Sequence, residues 1–171
     1  RSRERSIPVA TAPNERWSMD FMSDQLASGQ QFRTLNVGDD FTRESLEIEV
    51  GLSITSAHVT RVLDRLVFLR GKPESIVIDN GPEFTSRALD VWAYTNGVKL
   101  DFIRPETPSD NAYIESFNGK FRDECLNTHW FLSLNHARCL IEDWPQDYNN
   151  HGPHSALGYM TPSEFAQGLA A

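Results

Sequence analysis

Three extended runs in succession, followed by helices alternating with strands, form the feature that most narrows what this chain can fold into. The runs lie at about 17–24, 32–40 and 44–52, parted by Ser28-Gly29-Gln30 and by Asp39-Asp40-Phe41-Thr42. Joins that short predict an antiparallel meander. The apolar period then changes: Val59, Val62, Leu63, Leu66 and Val67 follow the spacing of one buried helix face. Thr55 or Ser56 can cap that helix and Gly71 can close it. A β-branched strand at 75–79 follows, then a helix at about 86–96 with Leu89, Trp92 and Ala93 inward, then an alternating strand at 98–103. A long helix is expected over about 110–127, with Ile114, Phe117, Phe121 and Cys125 as its seam. The last helix begins near Ser133 and turns Ala137, Leu140, Ile141 and Trp144 to one side.

Strands first in a meander, then alternating with helices, predict an α/β architecture: a mixed five-stranded sheet flanked by helices. That is the element order of a ribonuclease-H-like fold, in which the first strand lies beside the strand after the first helix. Residues 1–13, with Pro8 and Pro13 and no periodicity, read as an arm or linker. Residues 14–128 read as the core, and 129–171 as a C-terminal helical extension of the same domain.

The chain is long enough for one domain with a substantial core: 171 residues, 39% hydrophobic and 23% charged. No apolar run reaches the length of a membrane span, so no membrane partner is expected. Cys125 and Cys139 are the only cysteines and are expected to be thiols in a reducing compartment. The net charge is −8, from 16 basic and 24 acidic residues. Autonomous nucleic-acid binders are usually basic, so charge alone points away from DNA. A metal site occupies some of those acids, however, and a basic recognition domain upstream in a longer protein would supply the missing cations.

Three acids carry the chemistry. Asp20 closes the apolar start of the first strand, Asp79 ends the fourth and precedes an Asn80-Gly81 turn, and Glu115 stands on the long helix beside its seam. Thirty-five residues separate Asp79 from Glu115. Hard divalent cations take oxygen ligands, and two of them can hold the attacking and leaving oxygens of a phosphodiester displacement. On that chemistry Asp20 is the bridging ligand, with Asp79 on one ion and Glu115 on the other; Mg²⁺ or Mn²⁺, as two ions, is the expected cofactor. Each acid alone reads as a turn former, a cap or a solvated charge. Asp39-Asp40 is read as a turn, and Glu83 as a structural or helix-entry residue. Asn111, Lys120 and Arg122 are candidate DNA phosphate contacts, and His151 with His154 is too sparse a set for zinc.

The surrounding motifs strengthen the triple. Trp17-Ser18-Met19-Asp20-Phe21, Asp79-Asn80-Gly81-Pro82-Glu83-Phe84 and Ser109-Asp110-Asn111-Ala112-Tyr113-Ile114-Glu115-Ser116-Phe117-Asn118-Gly119 resemble the integrase-type core of bacterial insertion-sequence transposases. The nearest likeness is to the IS-three family, with its Asp, Asp, 35-residue gap, Glu signature. Leu35-Asn36-Val37, Arg122-Asp123-Glu124-Cys125-Leu126-Asn127 and Leu157-Gly158-Tyr159-Met160-Thr161-Pro162 are similar to that family too. The resemblance spans about residues 14–165. It implies a fold shared with retroviral integrases, Mg²⁺ or Mn²⁺ dependence, and DNA cleavage with strand transfer. It also implies a separate upstream DNA-binding region, an oligomeric active complex and a bacterial cytoplasmic setting. The alternatives are a nuclease of the same fold without end joining, and a catalytically silent fragment for assembly or DNA architecture. Three positions depart from the pattern: Glu106 for Gly, Pro145 for a basic residue after Trp144, and Gly152 for Arg. Pro145 lacks an N–H and predicts a helix that kinks or ends near Trp144.

Overall fold

In the computed structural model, residues 8–103, 112–152, 154 and 157–170 are described. Five strands form one sheet: β1 (Arg16–Gln25), β2 (Gln31–Asp39), β3 (Ser45–Gly51), β4 (Ser75–Ile78) and β5 (Lys99–Phe102), in spatial order β3-β2-β1-β4-β5. The first three pair antiparallel, and β4 and β5 join in parallel, which is the mixed sheet expected from the element order. Five helices cover it: α1 (Ser56–Arg70), α2 (Arg87–Asn96), α3 (Ala112–Phe121), α4 (Leu134–His151) and α5 (Pro162–Ala170). No helix among the described residues is long and apolar enough to cross a membrane.

Strand alternation sends side chains to two cores. Trp17 and Met19 of β1, Leu35 and Val37 of β2, and Ile76 and Ile78 of β4 pack with Val59, Leu63 and Leu66 of α1 and Leu89 and Trp92 of α2. Met22, Phe32, Ile48 and Val50 leave the other face and pack with Phe117 and Phe121 of α3 and Ile141, Trp144 and Tyr148 of α4. The helix ends follow their caps. Thr55 accepts the His58 N–H at the start of α1, Ser86 accepts the Leu89 N–H at the start of α2, and Ser133 accepts the His136 N–H at the start of α4.

How α3 sits on the sheet is fixed by one glycine. A Cβ at Gly38 would come within 2.7 Å of the Tyr113 Oη and 2.8 Å of its ring. The Tyr113 hydroxyl donates to the Arg43 carbonyl at 3.0 Å. Aromatic contacts from Phe117 to Trp144 (5.5 Å between centroids) and to Tyr148 (5.1 Å) bind α3 to α4.

Several expectations change here. The long helix is not regular to residue 127: after Phe121 it widens into a π-turn over Arg122–Leu126, in which the Asn127 N–H reaches the Arg122 carbonyl at 2.8 Å. Cys125 and Leu126 within it are both buried. Cys125 is a free thiol, and burial pushes its pKa up to about 11, so it is inert. Helix α4 does not end near Trp144 but runs through Pro145 to His151. Burial of Ile141, Trp144 and Tyr148 on either side offsets the lost backbone bond. Asn149 also ties the distal half to β3, accepting from the Ser45 N–H at 2.8 Å and donating to its carbonyl at 3.0 Å. In β5, Phe102 does not turn inward but is 42% exposed, because β5 is an edge strand. Helix α5 was not expected, although Thr161-Pro162-Ser163-Glu164 carries its signal. Thr161 Oγ1 accepts the Glu164 N–H and Glu164 Oε1 accepts the Thr161 N–H, both at 3.2 Å, a reciprocal capping box. Glu106 lies outside the described residues.

Two substitutions test this frame. Gly38→Ala should cost about 1–3 kcal/mol through overpacking against Tyr113, read by urea denaturation. Pro145→Ala should raise stability by about 1–3 kcal/mol by restoring the N–H to the Ile141 carbonyl. A fall in melting temperature would show that Pro145 is held by contacts of its own.

Candidate active site

The parallel register of β1 and β4 assembles the first two acids. Arg16 pairs with Ser75, Trp17 with Ile76 and Ser18 with Val77. The same offset carried two residues further sets Asp20 level with Asp79. Alternation puts Ser18 and Asp20 on the face that Met22 shares with α3 and α4; Asp79 follows directly after β4, close enough for its charge to act on Asp20. Asp79 is held by its own turn: its Oδ1 accepts the Gly81 N–H at 2.8 Å. A Cβ at Gly81 would stand 2.9 Å from that oxygen, so a larger residue there would push the carboxylate aside.

Both oxygens of Asp20 already hold one donor. Oδ1 accepts the Phe21 N–H at 2.9 Å, and Oδ2 accepts Nδ2 of Asn118 at 2.9 Å. The Asn118 Oδ1 in turn accepts Nδ2 of Asn36 at 2.8 Å. Asn36 is fully buried and lies directly across from Asp20 in the β1–β2 ladder. Asn118 stands one helical turn beyond Glu115 on α3, so this chain of amides fixes the helix bearing the third acid against the strand bearing the first.

Glu115 itself is exposed, and among the described residues no three His, Cys, Asp or Glu side chains gather closely enough to hold one ion. The structure therefore brings Asp20 and Asp79 together and leaves Glu115 outside a closed cluster, though still within reach of Asp20's electrostatics. Burial first, then the Asp79 charge, raises the Asp20 carboxyl to about 6, with Glu115 adding in the same direction against the Phe21 and Asn118 hydrogen bonds. Such a set fits a hard cation: the donors are all carboxylate oxygens, and a divalent ion would offset the burial and the like-charge repulsion that raise the Asp20 carboxyl.

The loop after Asp79 is braced from β2. Arg33 Nη1 meets Glu83 Oε1 at 2.5 Å, and the guanidinium lies 3.9 Å from the Phe21 ring centroid, which stacks on Phe84 at 4.9 Å. Burial works to raise the Glu83 carboxyl, but hydrogen bonds from Arg33 and its own backbone, with the Arg33 charge, hold it below the usual value. Glu83 is thus the structural residue expected. Asp39 and Asp40 are likewise structural. Asp39 Oδ1 accepts the Phe41 and Thr42 N–H groups, and Asp40 receives Arg16 Nε and the Ser18 hydroxyl, both at 2.6 Å.

Among the candidate DNA contacts, Arg122 donates to the Ser23 carbonyl at 3.3 Å, and Lys120 Nζ stands 5.9 Å from the Tyr148 ring centroid. Asn111 lies outside the described residues. Sequence reasoning gave no role to Asn36 or Asn118. The available signals were a polar residue interrupting an apolar strand and an amide three residues after a catalytic-type acid.

Two models of the integrase core domain match the chain, over residues 10–108 and 96–162. A 31.7 kDa protein of insertion element IS407 from Burkholderia multivorans is 58% identical over 160 residues, covering 94% of this chain and 58% of that protein. The transposase of insertion sequence element IS904 from Lactococcus lactis is 30% identical, covering 91% of this chain and 62% of that protein. The chain thus spans less than two thirds of the length of these relatives. Among solved structures, the HTLV-2 integrase catalytic core domain in complex with magnesium aligns with a TM-score of 0.67 at 20% identity, covering 90% of this chain and 96% of that one. The likeness confirms the fold read from the element order.

The raised Asp20 carboxyl has a measurable consequence. An acid whose folded pKa of about 6 exceeds its ordinary 3.8 favours folding while it is protonated. That contribution is complete below about pH 4 and is lost as pH rises through about 6. Without divalent cations, Asp20→Asn should therefore gain about 1–3 kcal/mol over the native chain between about pH 4 and pH 7.5. Urea titrations in chelator at the two pH values read the difference; an equal offset at both would contradict the shift.

Proposed function

Since the chain belongs to the integrase core domain family, we propose that it is the catalytic core of an insertion-sequence transposase, a metal-dependent polynucleotidyl transferase that cuts DNA and joins the cut end to a target. The observation carrying this reading is the nearness of Asp79 to Asp20 just beyond the β1–β4 ladder, with the Glu115 helix tied to Asp20 through Asn118. Asp20, Asp79 and Glu115 are the residues that would hold divalent cations, Mg²⁺ or Mn²⁺, and Glu115 would have to turn inward from its exposed position to take part. When bound, the cations activate the attacking oxygen and stabilise the leaving one.

The chain's own groups do the positioning. The Phe21 N–H and the Asn118 amide hold one lone pair on each Asp20 oxygen, which orients the carboxylate and leaves the remaining lone pairs for cations. The Gly81 N–H does the same for Asp79. No protein nucleophile is required: water attacks phosphorus in cleavage, a DNA 3′-hydroxyl attacks it in joining, and a 3′ oxygen of the broken strand departs. Lys120 and Arg122, with Asn111, are proposed to contact phosphates. With a net charge of −8, much of the DNA affinity comes from the remaining length of the longer protein and from assembly of more than one copy.

A strand-transfer assay tests the reading. Given Mn²⁺ and a duplex ending in the element's own terminus with a recessed 3′-hydroxyl, the longer protein should join that end to target DNA. Asp20→Asn, Asp79→Asn and Glu115→Gln should each lower joining by about a thousandfold or more. Cleavage without joining would establish a nuclease instead, and undiminished joining by Glu115→Gln would remove Glu115 from the site.

A further inference from the structure

We propose that Asn36 is a positioning residue for the candidate metal site: its buried amide dictates which end of the Asn118 amide faces Asp20. The inference rests on the assignment of Asp20 as a cation ligand. A carboxamide has two ends of nearly equal shape, so Asn118 can present either its NH₂ or its oxygen to Asp20. The Asp20 carboxylate selects the NH₂ while it is bare. Once a cation neutralises that carboxylate, electrostatics no longer enforce the choice, and the Asn118 oxygen becomes a competing ligand.

Asn36 removes the ambiguity. Its Nδ2 donates to Asn118 Oδ1 at 2.8 Å, which fixes Asn118 Nδ2 on Asp20 Oδ2 at 2.9 Å. Asn36 is fully buried in the central ladder opposite Asp20, so Asn118 cannot turn its amide over unless Asn36, confined there, turns over with it. It is also retained against its own interest: its Oδ1 is buried without a hydrogen-bond partner among the described residues. An apolar side chain of the same size would avoid that cost, so stability alone does not account for an asparagine here. Partners behind the ligands commonly set the orientation and affinity of a metal site in this way.

The test is a Mn²⁺ titration of the 171-residue chain, following free Mn²⁺ by electron paramagnetic resonance, with melting temperatures measured in chelator. Asn36→Leu should weaken Mn²⁺ binding about tenfold or more while the metal-free melting temperature holds or rises. Asn36→Thr, better suited to a strand yet too short to reach Asn118, is the second variant should Asn36→Leu not fold. In an Asn118→Leu background, Asn36→Leu should add little further loss, because the two amides act as one chain. Native Mn²⁺ affinity in the Asn36 variants, with binding weakened in Asp20→Asn, would overturn this inference alone. Native affinity in Asp20→Asn would overturn the assignment of Asp20 and this inference with it.

Discussion

The parallel pairing of β1 with β4 is the constraint on which the rest depends. It brings Asp79 close to Asp20, where burial first, then the Asp79 charge, opposes ionisation of Asp20. A fold selected for stability alone would not keep that arrangement. The raised Asp20 carboxyl is consistent with the proposed cation site, where a divalent charge would relieve part of that cost.

Around that pair the molecule is arranged to present a third acid without committing it. Helix α3 is held by close packing of Tyr113 over Gly38, by aromatic contacts to α4, and by the amide chain from Asn36 to Asp20. All of these act on the helix, and none touches the Glu115 carboxylate, which stays exposed. The helix that carries Glu115 is therefore held in place while the Glu115 side chain stays exposed.

The two periods of the sequence made most of the fold legible. The extended runs of β1 and β2 and the helical spacing of α1 and α2 could be read directly, and Thr55, Ser133 and Gly71 marked helix ends through local hydrogen bonds. What stayed hidden depends on tertiary contacts. Nothing within five residues of Pro145 reveals that Tyr148 and Asn149 will be anchored firmly enough to carry the helix through it. The π-turn at Arg122–Leu126 likewise carries no signal in the local apolar spacing. At the site, the three acids could be read because each sits in a recognisable motif. The Asn36–Asn118 connection spans 82 positions of sequence and exists only once strand and helix have met.

The most direct test of the central claim is a crystal structure with Mn²⁺, located by its anomalous scattering. The account predicts Mn²⁺ between Asp20 and Asp79, with Glu115 turned inward to ligate and Asn118 still donating to Asp20. Mn²⁺ bound away from Asp20 and Asp79, or no ordered ion there at saturating concentration, would contradict it.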